Sequence, residues 1–124
     1  MRHGLFAEAR SAMIPALAIW EASIGPDHFE TVDATVLLAR AELAIGDKAA
    51  APRLKKAISY YDAHPAPAAK SAEASFAYAQ LPGLPADEAR SWATRAREGF
   101  SAGGSGAMAR QQAVDAFLSK KRTP

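Results

Sequence analysis

The chain predicts an all-α solenoid of about six antiparallel helices, and three observations carry that reading. About a quarter of the 124 residues are alanine, the best helix former. β-Branched residues are sparse and never alternate over a long run, so few segments suit a strand. One helical cadence also begins twice, once at Gly4-Leu5-Phe6-Ala7-Glu8-Ala9 and again at Gly46-Asp47-Lys48-Ala49-Ala50. A repeating helix–turn–helix unit stacks on its neighbours, and such stacks mostly bind other proteins.

The first helix is expected from about Phe6 to Ser23. Phe6, Ala9, Met13, Ala16, Leu17 and Trp20 recur at helical spacing and predict one buried stripe. Pro15 falls inside it and removes a backbone hydrogen bond. Gly25-Pro26 stop it. In the second helix, from His28 or Phe29 to Ile45, Asp27 is the expected cap, with Glu30 completing a capping box. Val32, Val36, Leu38, Ala39 and Leu43 give it two apolar faces, as a sandwiched helix needs.

The third helix is expected over about Ala49 to Ala63, with Ala50, Leu54, Ala57, Ile58 and Tyr61 inward and Pro52 in the first turn. His64-Pro65-Ala66-Pro67 reads as a turn. The fourth runs from about Ala68 to Leu81, with Ala69, Ala72, Phe76, Ala77 and Leu81 inward. Pro82-Gly83-Leu84-Pro85 breaks the chain. Ala89, Trp92, Ala93, Ala96 and Phe100 pattern a fifth helix over Ala86 to Phe100. After a small-residue loop from Ser101 to Gly106, a sixth over Ala107 to Lys120 presents Val114, Phe117 and Leu118. Trp20, Phe76, Trp92 and Phe117 are expected to fill gaps between alanine-lined helices, and the tail Lys121 to Pro124 to fray.

Composition narrows function. Hydrophobic residues are 49% and charged residues 23%, ordinary for one soluble domain. Fifteen basic residues face thirteen acidic ones, a net charge of +2, too balanced for a nucleic-acid field. There is no cysteine, hence no disulfide or thiolate metal site. No apolar run suits a membrane span, and Glu8 and Arg10 interrupt any signal-peptide core, so a cytoplasmic location is the expectation.

Candidate chemistry is thin. His3, His28 and His64 fall at turns or the terminus, none at metal-ligand spacing with another histidine, so no metal or other cofactor is expected. Lys55-Lys56 and Lys120-Lys121-Arg122 read as cations near helix C-termini. Gly103-Gly104-Ser105-Gly106 lacks the Lys-Ser/Thr of a phosphate loop and reads as a linker. No serine sits in a nucleophile elbow, so no catalytic residue is assigned and the chain is expected not to be an enzyme.

Certain residues resemble a family. Ala16-Leu17-Ala18-Ile19, then Gly25-Pro26-Asp27-His28, then Leu38-Ala39 and Gly46-Asp47 are similar to tetratricopeptide repeats of the kinesin-light-chain type. Ala50, Leu54 and Ala57-Ile58 continue the pattern, and Ala89 and Ala96 sit similarly in the fifth helix. The resemblance implies a right-handed α-α superhelix: residues 5–24 form the second helix of a truncated repeat, 27–63 a full repeat, 66–100 a divergent repeat and 105–121 a polar capping helix. The turn after Gly46 is one residue short of the family spacing, and Pro82 to Pro85 adds about one.

The resemblance also implies where a partner binds. A concave groove would be lined by Asp33, Val36, Leu37, Arg40 and Leu43 from the second helix and by Lys70, Ala74 and Tyr78 from the fourth. Arg40 and Lys70 suit an acidic group, and Tyr78 suits stacking. The clamp that grips chaperone C-terminal carboxylates uses asparagine, and this chain has none.

Gly4 stands where the turn between paired helices belongs, as if the array began in mid-repeat, a fragment of a longer bacterial protein. The uncovered face of the first helix, with Phe6, Met13, Leu17 and Trp20, then becomes a candidate for homodimerisation. Similar arrays lie behind catalytic domains in bacterial regulatory enzymes such as serine/threonine kinases, though no kinase motif is present. The expected function is a non-catalytic scaffold that binds a peptide or helix in the groove, with self-association and an accessory role as alternatives. No nucleic acid and no membrane partner is expected.

Overall fold

The computed structural model describes residues 2–25, 27–64, 68–102 and 108–122. Among them are six α-helices and no strand: α1 (Arg2–Ile24), α2 (Phe29–Ala44), α3 (Ala50–Ala63), α4 (Ala68–Ala79), α5 (Ala86–Ala102) and α6 (Met108–Arg122). The chain divides into two compact units, Met1–Tyr60 and Tyr61–Pro124.

In the first unit α1 packs on α2. Leu17 is buried on α1, and the buried residues of the unit include Val32, Val36, Leu38 and Ala39 of α2 and Ala50, Leu54, Ala57 and Ile58 of α3. Phe29 and Tyr60 meet edge to face, their ring centroids 5.2 Å apart. The turn between α2 and α3 is a Schellman motif. Gly46 N–H donates to the Leu43 carbonyl at 3.1 Å and Asp47 N–H to the Glu42 carbonyl at 2.8 Å. Gly46 adopts φ +78, a backbone region that costs glycine nothing.

In the second unit α4 packs on α5 and α5 on α6. Ala72, Ala79, Ala93, Ala96, Phe100 and Val114 are buried together, with Phe76, Trp92, Phe117 and Leu118 packed around them. Phe76 of α4 and Phe117 of α6 form a T-shaped pair with centroids 5.6 Å apart. Helix α5 opens with Asp87 and Glu88, carboxylates that favour the positive end of the helix dipole. Gly99 sets how closely α4 and α5 approach: a Cβ there would lie 2.8 Å from the Ala72 Cβ and 3.1 Å from the Ala68 carbonyl oxygen.

Several expectations shift. Helix α1 starts about a turn earlier than the sequence suggests, so Gly4 lies inside a helix and marks no turn. The buried stripe of α1 is mostly open: Phe6, Ala16 and Trp20 are exposed, Ala9 and Met13 half-buried, and only Leu17 of the six is buried. Trp20 therefore fills no gap in the described core. The cap of α2 is His28, not Asp27: its Nδ1 accepts from Glu30 N–H at 3.2 Å. Lys55 and Lys56 lie mid-way along α3, away from its last turn, so the dipole does not favour them. Helix α4 ends at Ala79, leaving Leu81 outside it, and α5 continues to Ala102. The expected turn over 65–67 and the glycine linker over 103–106 lie outside the described residues.

Gly99→Ala should destabilise the chain by about 1–3 kcal/mol through overpacking, outweighing alanine's helix propensity. Gly4→Ala meets nothing within 4 Å and should be neutral or slightly stabilising. Urea denaturation of the two variants checks the contrast, and equal midpoints would refute a close α4–α5 contact at Gly99.

Candidate functional site

Two features of the first unit stand out, a buried charge cluster and an exposed apolar helix. The cluster centres on Glu42, which is 0% exposed although charged. An isolated buried carboxylate is costly, so it must be paired. Arg53 Nε of α3 donates to Oε1 at 2.9 Å. Arg10 of α1 brings Nε within 3.4 Å of Oε2 and 2.9 Å of Asp47 Oδ2. The other Asp47 oxygen, Oδ1, accepts from Ala49 N–H at 2.9 Å and so steadies the start of α3. One carboxylate thus ties α1 and α3 to α2.

Beside this cluster lies an open cleft of about 290 Å³, lined by Glu21, Thr35, Ala49, Pro52, Arg53 and Lys56. Of its charged groups, Arg53 is already engaged by Glu42. In the second unit Asp62 accepts from Ser71 Oγ at 3.2 Å and pairs with Arg95, whose guanidinium lies 5.6 Å from the Trp92 ring centroid. Among the described residues no group of three His, Cys, Asp or Glu side chains converges as a metal site would require. No helix there is long and apolar enough to cross a membrane.

The groove residues divide by burial. On α2, Val36 is buried against the core, Asp33 and Leu43 are half-buried, and Leu37 and Arg40 are exposed, Leu37 by 55%. On α4, Ala74 is fully buried, Lys70 is half-buried, and Tyr78 packs on Trp92 with ring centroids 4.9 Å apart. A partner would therefore meet Leu37 and Arg40 directly and could not touch Val36 or Ala74.

Helix α1 carries the most accessible apolar surface. Seven large hydrophobic residues are exposed among those described, and six belong to α1: Leu5, Phe6, Ile14, Ile19, Trp20 and Ile24. Of the four residues expected to form a self-association face, Leu17 is turned into the core, Met13 is half-buried, and Phe6 and Trp20 remain outward. Leu5 and Ile19, exposed by 65% and 63%, belong to a second apolar stripe of α1 that a single-stripe expectation leaves out. The signal was available: apolar residues occupy nearly every direction around α1, and a helix apolar all round expects neighbours on both sides.

Because Arg10 and Arg53 share one buried carboxylate, their loss should be non-additive. Arg53→Leu and Arg10→Leu should each cost about 1 kcal/mol alone, whereas the two together strand Glu42 and should cost about 3–5 kcal/mol, more than their sum. A double-mutant cycle by urea unfolding measures this, and strict additivity would show that the two arginines act independently.

No family model, no curated protein and no solved structure matches this chain.

Proposed function

We propose that the chain is a non-catalytic protein–protein interaction module, a tetratricopeptide-like stack of helical hairpins. The observation that carries this reading is the concentration of exposed large hydrophobic side chains on α1. Scattered surface hydrophobes are ordinary, but six of the seven exposed large ones on a single helix favour a surface that another macromolecule covers. The short turns at Gly46 and Gly83, both with positive φ, suit antiparallel helical hairpins of this kind.

A second contact surface is favoured on α2, where exposed Leu37 lies one turn from exposed Arg40. An apolar anchor beside a guanidinium suits an amphipathic segment with an acidic residue, the type of peptide or helix the groove reading calls for.

Photoreactive residues placed singly at Ile19 and Leu37, in the chain expressed in its native cells, test both surfaces. Position 19 should give a discrete cross-linked protein, while the same residue at exposed Arg90 of α5 should not. Absence of cross-linking at both 19 and 37 would count against an interaction module. On α2, Arg40→Glu should abolish capture of the partner trapped at Leu37 while leaving helicity unchanged. Undiminished capture would remove Arg40 from the site.

A further inference from the structure

Leu5, Ala9, Ala12, Ala16, Ile19 and Ser23 follow one another along α1 at alternating steps of four and three residues. That is the spacing of a coiled-coil seam. All are exposed except Ala9, which is half-buried, and the seam lies away from Leu17, the α1 side chain that enters the core. Phe6, Met13 and Trp20 run along one margin of the seam, and Glu8, Pro15 and Ala22 along the other.

We propose that this seam pairs antiparallel with α1 of a second copy of the chain, which deepens the interaction-module reading by naming the occupant. The size pattern of the seam selects that arrangement. Large residues stand near its ends and small ones fill its middle. In a parallel, in-register pair Leu5 would meet Leu5 and Ile19 would meet Ile19, holding the helices apart, while the central alanines would face alanines across a gap. In an antiparallel pair, seam positions of opposite type face one another. Leu5 then meets Ser23, Ala9 meets Ile19, and Ala12 meets Ala16. Every large side chain is set against a small one, so the helices can approach closely along their whole length without voids.

The margins agree with this register. Trp20 of one copy comes beside Phe6 of the other, and Met13 beside Met13 near the two-fold axis, so the outward residues Phe6 and Trp20 gain cover. Glu8 comes beside Ala22, so no like charges oppose each other, and Arg10 is already held by Glu42 and Asp47. A helix of 23 residues is about 35 Å long at 1.5 Å per residue. Pairing it along its length buries on the order of 1,000 Å² in total, the lower bound for a specific interface. The expected dimer is accordingly reversible and concentration-dependent.

Sedimentation equilibrium of the whole chain tests the pairing, and engineered thiols test its direction, since the chain has no native cysteine. The chain should dimerise reversibly, and Ile19→Glu should render it monomeric with unchanged helicity, because Ile19 supports no core. Under mild oxidation, Ala12→Cys mixed with Ala16→Cys should cross-link faster than either variant alone. A chain that stays monomeric up to about 1 mM overturns the inference. So does a dimer that tolerates Ile19→Glu, or one in which each cysteine variant cross-links fastest with itself. A monomer that still photo-cross-links from position 19 to a different protein removes the second copy as occupant but leaves the interaction module standing. A monomer that cross-links to nothing at 19 or 37 removes both.

Discussion

The first unit depends on one carboxylate. Glu42 lies in a largely apolar stretch of α2 and is removed from water, so its charge must be met by protein. Arg53 from α3 and Arg10 from α1 meet it from two sides. Such a cluster adds little net stability over a hydrophobic core of the same shape, but it is unforgiving of misplacement. A slip of α1 or α3 along α2 would separate a buried charge from its partners, whereas an alanine-lined interface alone would tolerate the slip. Small side chains let the helices approach, and the ion cluster selects where along their length they stop.

This explains how α1 can be anchored and yet so open. It gives the core one large side chain, Leu17, and one guanidinium, Arg10. The rest of its apolar content faces outward. Its placement on α2 rests on Leu17 and on ion pairs through an Arg10 Nε that makes no hydrogen bond, and most of the helix surface stays exposed. The second unit is organised differently. There the rings of Phe76, Trp92, Phe100 and Phe117 pack around alanine, and the close approach at Gly99 sets the spacing.

Legibility in the sequence followed the strength of the periodic signal. All six described helices are legible in the sequence, because alanine-rich windows with apolar residues at helical spacing have few competing readings. The inward faces of the third and fifth helices were read almost residue for residue, since each bears a single stripe: Ala50, Leu54, Ala57, Ile58 and Tyr61 are all buried. The first helix misled because apolar residues surround it, and spacing cannot say which face wins when two are possible. Its partner in space, α2, decided for Leu17. The candidate groove was legible only in part. Burial of Val36 and Ala74 depends on tertiary neighbours that a single helix pattern does not contain. The ion cluster is not legible in helical spacing alone, although a charged residue at position 42, four after buried Leu38, is a visible anomaly.

Asp47 gives one side chain two tasks. Its Oδ1 steadies the first turn of α3, while Oδ2 reaches Arg10, a residue 37 positions earlier in the chain. The α2–α3 corner is assembled from neighbours in sequence and carries little chain-entropy cost. The link to Arg10 closes a long loop and must wait for α1 to arrive. When it does, the arginine's charge meets a carboxylate that α3 is already using. Docking of the first helix and firmness of the third are thereby coupled, so α1 is bound into the same cooperative opening event as the corner beneath it, not left to fray independently.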